Sequence, residues 1–243
     1  LPGLLAHLAV RQKDLAFSTP QALRAAAAVE AGSSPAKAAA DHGVEPALLS
    51  AWLDYLGIGS VKLEPLLTKK MLSAPGHPKV RGWQGAEALG VMANSGYEDA
   101  LTPGLIKAGG VVAHPAPTRA VVIAWRSPVA GMAAVTGGIT DAHVVCGNGV
   151  TWQLEARRGT RRDVLAKGLS RGKQLVPFGK LGAIKVTPGD VLALVIGPRD
   201  GNHACDLTAV DFKVAVGGRV WDLAPDVSPD ILAGNPHGPW HFL

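Results

Sequence analysis

From Val111 to Val216 the chain is a succession of short apolar or alternating segments, each closed by glycine, proline or Asx residues. No helical pattern lies between them. The segments are AVVIAWR (120–126), GMAAVTGGI (131–139), GVTWQLEAR (149–157), GAIKV (182–186), VLALVIG (191–197) and LTAVDFKVAV (207–216). In the last, Val210, Phe212, Val214 and Val216 alternate with Asp211 and Lys213, which predicts one buried and one wet face. Val150, Trp152 and Leu154 share a face by the same spacing. Parallel strands need long crossovers, usually helical, and no such crossover is present. An antiparallel, mainly β sandwich is therefore expected over 111–218, with Trp125 and Trp152 spent on its core, while Trp83 is expected to plug a core or cover a sheet.

The flanks read differently. Residues 1–57 are expected to be helical, starting with apolar residues at helical spacing in 1–16. Pro20 is placed for a helix start, Ser34-Pro35 for a capped second helix ending at Gly43, and Glu45-Pro46 for a third closing at Gly57. Ala39, Gly43, Leu49 and Trp52 fall at helix–turn–helix spacing. The second helix carries Asp54 and no Arg, Lys, Asn or Gln for bases or phosphates, so a packing hairpin is favoured over DNA binding. Residues 58–110 read as a loop-rich connector with short helices near 62–71 and 85–90. Residues 219–243 read as an irregular strap whose Trp240, His241 and Phe242 need burial or a partner.

No run of about 18 uncharged apolar residues exists, so no transmembrane helix is expected. The chain begins at Leu1 without a signal-like segment, as expected for a mature or excised piece. Net charge is +5. After Val111, seven basic residues cluster between Arg157 and Lys173, opposed by Asp163 alone. This run reads as a solvated loop, or as a surface for phosphate, acidic polysaccharide or an acidic partner.

The two cysteines, Cys146 and Cys205, sit in similar loops, DAHVVCGNG and DGNHACDLT. A disulfide between them is expected in an oxidising compartment, two buried thiols otherwise. The same loops hold Asp141, His143, Asn148, Asp200, Asn202, His203 and Asp206. Turn chemistry, with Asp and Asn bonding their own backbone, accounts for these residues. The alternative is a cation: calcium on Asp141, Asn148 and Asp206, or zinc or copper if the two histidines dominate. His114 and His237, each beside a proline, read as structural. Arg126, Arg157 and Arg199 carry the planar fork that suits acidic sugars. For catalysis, Asp141 with Asp206, or His203 with Asp200, are the acid–base pairs available. No nucleophile elbow, phosphate loop or dinucleotide fingerprint is present.

The strings HPAPTRAVVIAWRSPVAG, VTPGDVLALVIGPRDGNHACDLTAVDFKV and WDLAPDVSPDILAGNPH resemble a region of large planctomycete surface proteins. Those proteins join a cytochrome-c-like segment to domains of unknown function. Gly147-Asn148-Gly149-Val150, Gly189-Asp190 and Asp206-x-Thr208 are similar to galactose-binding-like carbohydrate-binding modules, which often have Asp where Asn148 stands. This implies a jelly-roll β-sandwich. The haem motif Cys-x-x-Cys-His is absent, so no haem is expected.

Together these readings imply a non-catalytic module of a secreted, periplasmic or cell-envelope protein, binding polysaccharide or docking neighbouring domains. The ligand-binding set is Arg126, Asp141, His143, Asn148, Arg199, Asp200, Asn202 and His203. The alternatives are a scaffold subunit, or a hydrolase or lyase using the Asp/His loops.

Overall fold

A computed structural model describes residues 15–243 apart from 59, 60, 144 and 160. The expected helix over 1–16 lies almost wholly outside these residues. The chain divides into two compact units: residues 1–62 with 157–162, and 63–156 with 163–243.

The first unit holds three helices, α1 (Leu15–Glu30), α2 (Pro35–Asp41) and α3 (Pro46–Leu56). Ser34 caps α2 by accepting from Lys37 N at 3.2 Å, with Pro35 in the first turn. Pro20 lies inside α1 rather than at its start, a correction to the sequence reading. The core is built from Ala22, Ala25, Ala26 and Ala39, whose small side chains let helices approach closely, and is filled by Leu49 and Leu53. Ala39 and Leu49 are thus spent on packing.

The second unit is mainly β and antiparallel. Its first strands are β1 (Lys69–Met71), β2 (Val80–Gln84), β3 (Gly90–Asn94), β4 (Ala100–Leu101) and β5 (Leu105–Ile106). They correct the expectation of a connector with short helices over 58–110. Glycine and proline there close hairpins, and Trp83 sits 8 % exposed with its Nε1 donating to Ile231 O at 2.8 Å. There follow β6 (Val111–His114), β7 (Val121–Arg126), β8 (Gly131–Asp141), β9 (Val150–Arg158), β10 (Arg161–Ser170), β11 (Val176–Pro177) and β12 (Leu181–Val186). The last are β13 (Val191–Pro198), β14 (Thr208–Val216), β15 (Arg219–Asp222) and β16 (Trp240–Phe242). A short helix α4 (Leu223–Val227) and a 3-10 turn (Ile231–Ala233) precede β16. Among the described residues no helix is long and apolar enough to cross a membrane.

One sheet runs β1-β2-β3-β6-β14-β8-β11, with β12 also on β8 and β15 also on β14; the other runs β10-β9-β13-β7-β16. From β6 to β9 successive strands alternate between the sheets, and β12, β13 and β14 alternate again. The basic run 157–173 is therefore mostly strand β10 on a sheet edge, and Arg157 is buried, not a solvated loop residue. The tail is more regular than a strap: β16 pairs with β7, Trp240 opposite Trp125 and Phe242 opposite Ile123.

The inner faces follow the alternation read from sequence. Val150, Trp152 and Leu154 pack with Val210, Phe212, Val214 and Val216, and with Trp125, Trp240 and Phe242. Ring contacts run Trp152–Phe178 (5.3 Å), Phe178–Phe212 (6.0 Å) and Phe212–Trp240 (5.4 Å) across this core.

Gly137 stands opposite Phe212 in the β8–β14 ladder at φ +124°, and a Cβ there would run into the Asp211 carbonyl. Gly137→Ala is expected to lower unfolding stability by about 2 kcal/mol or more, read from the urea midpoint. Gly182→Ala, with open space around its Cα, stays within about 0.5 kcal/mol.

Candidate functional site at the disulfide-tied loops

β8 and β14 pair without interruption from Thr208 opposite Asp141 to Val216 opposite Ala133. The chain leaving β8 and the chain entering β14 therefore meet at one end of the sandwich. These are the two cysteine loops of the sequence reading. Cys146 and Cys205 form a disulfide, with Cα atoms 5.6 Å apart and a separation of 59 positions in sequence. A persistent disulfide belongs to an oxidising compartment.

The loops also bond to each other directly. Asn148 Nδ2 donates to Arg199 O at 2.9 Å, and Arg199 Nη1 donates to Asn148 O at 3.4 Å. Gly147, at φ +89°, passes so close to the Ala204 carbonyl that a Cβ would lie 2.7 Å from it. Glycine is required at this crossing by contact as well as by conformation. Cys205 itself holds φ +63°, a strained value for a residue with a side chain.

Asp206 is the electrostatic anomaly. Its side chain is buried, 2 % exposed, and neither carboxylate oxygen finds a hydrogen-bond partner among the described residues. The Asn148 Oδ1 is buried and without a partner in the same way. Buried polar groups are nearly always satisfied, so an orphaned carboxylate and an orphaned amide oxygen on the two tied loops require explanation. Burial, and then the neighbouring Asp141 carboxylate, push the Asp206 carboxyl up to about 6. Asp141 accepts from His143 N at 2.8 Å and from Gly172 N at 3.3 Å. Asp141 and Asp206 are thus near enough to act on each other, and Gly147, the residue before Asn148, runs close to Asp206 Oδ1; carboxylate and amide oxygens are the donors that a hard cation such as calcium takes.

Most of the expected ligand set is gathered here: Asp141, His143, Asn148, Arg199, Asp200, Asn202 and His203 all lie on these loops or their strand ends. Their roles differ. Asp200 faces solvent in a 3.4 Å ion pair with Arg199, and Asn202 Oδ1 accepts from Ala204 N at 3.0 Å, which is turn chemistry. Asp190 likewise closes its turn, accepting from Thr187 N at 2.8 Å. Arg126 does not join them. It ends β7 opposite Val191, whereas the loops leave the other end of β13, a strand of roughly 20 Å away. There it lies near His241, whose pKa burial and then the Arg126 charge depress to about 4.

Two further features were not singled out from sequence. Tyr97 is wholly exposed and borders a 390 Å³ cleft with His77, Lys79, Glu98 and Asp99. Its turn is held from below by buried Asn94, whose Nδ2 donates to Glu98 O (2.9 Å) and Ile106 O (3.2 Å) while its Oδ1 accepts from Gly96 N (2.9 Å). A larger cleft of 620 Å³ lies over β6, β14 and β8, with Leu105, Lys107, Lys173 and Leu175 on its rim. An aromatic inside the Gly-Tyr turn 96–97 was the available signal for the first; the second exists only after folding.

No family model matches the chain, and no curated protein is similar to it.

Two outcomes follow from the site. Replacing both cysteines by serine is expected to cost about 4 kcal/mol of unfolding free energy in the chain-entropy account of a loop of this length. Asp206→Asn tests the buried charge. Because the folded pKa is raised from 3.8 to about 6, the penalty is absent at low pH, grows as pH rises between those two values and levels off above about 6. In chelator, Asp206→Asn is therefore more stable than wild type at pH 7 by about 2–3 kcal/mol, and this advantage shrinks towards pH 4. A gap that does not narrow contradicts the assignment.

Proposed function

We propose that the chain is a non-catalytic carbohydrate-binding module of jelly-roll topology, working as part of a larger secreted or envelope protein. The strand order supports the topology: β6-β14-β8-β12 faces β7-β13-β9-β10, each sheet drawing strands from both halves of the sequence. The kinship with planctomycete surface proteins and galactose-binding-like modules is part of this proposal and rests on the quoted motifs.

The observation that carries the binding function is Tyr97. An aromatic ring left in water on a turn that a buried asparagine holds rigid is a surface preorganised for a partner. A flat ring beside polar groups able to meet hydroxyls is the combination that sugar recognition uses, and His77, Lys79, Glu98 and Asp99 supply those groups. The expected arginine set does not serve this role, since Arg157 is buried and Arg126 and Arg199 end opposite ends of the sandwich.

A structural calcium belongs to the same reading. Asp206 and Asn148 supply oxygens with no other partner, and Asp141 adds a second carboxylate. The ion would neutralise the buried charge and fix the loop pair; it takes no part in chemistry.

Docking of a neighbouring domain is the second reading, and the 620 Å³ cleft favours it. Its floor carries Val112 and Ala209, and its rim carries exposed Leu105 and Leu175.

Titration of wild type against a panel of neutral and acidic polysaccharides is expected to give saturable binding that Tyr97→Ala weakens at least about tenfold. That variant keeps its melting temperature, because the ring packs on nothing. Flat titrations across the panel, or binding that Tyr97→Ala leaves intact, would falsify the carbohydrate reading.

A further inference from the structure

We infer that the tied loops carry a redox-gated zinc site: reduction of the Cys146–Cys205 disulfide makes its two sulfurs and the His143 imidazole the ligands of one Zn²⁺ ion. These donors are distinct from the oxygens around Asp206, and the inference does not rest on the carbohydrate reading.

A ring nitrogen of His143 and the sulfurs of Cys146 and Cys205 all lie within 4.8 Å of one another. Among the described residues no other three His, Cys, Asp or Glu side chains bring their ligand atoms so close. A tetrahedral ion with metal–sulfur bonds of about 2.3 Å and a metal–nitrogen bond of about 2.0–2.1 Å sets these atoms about 3.5–3.8 Å apart. The Cα atoms of the two cysteines stand 5.6 Å apart, so rotation of the side chains alone gives two unbonded sulfurs that spacing.

His143 has ligand capacity that nothing else uses. Its Nδ1 is buried and finds no hydrogen-bond partner among the described residues. Its position is fixed from both sides. The His143 backbone N donates to Asp141 Oδ1 at 2.8 Å, and Gly104 packs so tightly on its Cβ that a methyl there would lie 2.9 Å away. The ring is therefore held at the sulfurs by the backbone and not by contacts of its own nitrogens.

The disulfide is not the sole tie between the loops, so the donors stay together when it opens. Beyond the β8–β14 ladder, Ala142 N donates to Leu207 O at 2.8 Å. Asn148 and Arg199 exchange two further hydrogen bonds, and Gly147 lies against the Ala204 carbonyl. None of these contacts uses a sulfur. Cys146 is exposed, beside exposed Val145, so a reductant and an ion both reach the site from solvent.

The reductant is a dithiol, whose thiolate attacks one sulfur of the pair. The protein S–S bond breaks and the reagent's two electrons and two protons pass to Cys146 and Cys205. The reagent leaves as its own disulfide. Zinc binding then releases the two protons, because thiolates are the ligands, while the neutral imidazole gives a lone pair and loses none. Two thiolates and an imidazole select zinc over calcium or magnesium and leave a fourth position for water. In the oxidised chain neither sulfur is a thiolate, so disulfide and zinc exclude each other.

The test is calorimetric titration of the full chain with Zn²⁺, oxidised and after reduction by a phosphine, with calcium present throughout to occupy the oxygens around Asp206. The reduced chain is expected to bind one Zn²⁺ with micromolar or tighter affinity, and the oxidised chain at least about 100-fold more weakly. Co²⁺ is expected to give thiolate-to-metal charge-transfer absorption with the reduced chain alone. His143→Ala, which keeps both thiols, weakens zinc at least about tenfold; replacing both cysteines by serine abolishes binding; His42→Ala changes nothing. Losing the disulfide destabilises the chain, so melting is read alongside. Zinc raises the melting temperature of the reduced wild type and leaves that of the double serine variant where it was. No saturable binding to the reduced chain below about 1 mM, equal binding to both redox forms, or binding undiminished in His143→Ala overturns the assignment. None of these results bears on Tyr97.

Discussion

The uninterrupted pairing of β8 with β14 is the constraint on which the rest depends. Its register puts Phe212 and Val214 into the core and at the same time fixes Asp141 and Thr208 at one end. A slip of one residue would turn every side chain of β14 to the opposite face. The same slip would separate the cysteine loops. Core and site are therefore set by a single ladder, and Gly137 is where that ladder tolerates no side chain.

The second sheet is held to the first by large side chains rather than by chain connections alone. Trp125, Trp152 and Phe212 meet Trp240 and Phe242, which arrive from the last residues of the sequence. Asn235 holds that tail in place, donating through Nδ2 to Leu67 O (3.1 Å) and Phe242 O (2.6 Å), while its Oδ1 accepts from Phe242 N (2.9 Å). Trp240 Nε1 donates to Asp226 Oδ2 at 2.9 Å, so the indole is buried without losing its polar contact. A chain with few aromatics has placed most of them here, which is why an exposed Tyr97 stands out.

The central strands were legible because each carries its own signal. Alternation in 207–216 and the shared face of Val150, Trp152 and Leu154 reflect a period that only a pleated strand can satisfy. Strands in 58–110 were not legible. Lys69–Met71 and Ala100–Leu101 are too short to show a period, and each pairs with the next strand across a hairpin whose glycines and prolines read equally as loop. Strand β10 was obscured by its charge, since an edge strand with one wet face can carry the Arg and Lys residues that also mark loops. Pro20 misled because proline is tolerated at a helix start far more often than within one. At the site, the similarity of the cysteine loops was enough to pair them. The orphaned state of Asp206 and the approach of His114 to His203 are properties of three-dimensional packing, and no local pattern encodes them.

What emerges is a sandwich whose loops at one end are tied by a disulfide and carry more unsatisfied ligand atoms than their own turns require. Both carboxylate oxygens of Asp206 and the Oδ1 of Asn148 are buried without a hydrogen-bond partner among the described residues, and on the reading proposed above a cation would meet them. The most direct test is to purify the protein without chelator from an oxidising host and to measure bound metals and free thiols on the same sample. The account predicts no free thiol and stoichiometric divalent metal. Two free thiols with no bound metal would contradict it.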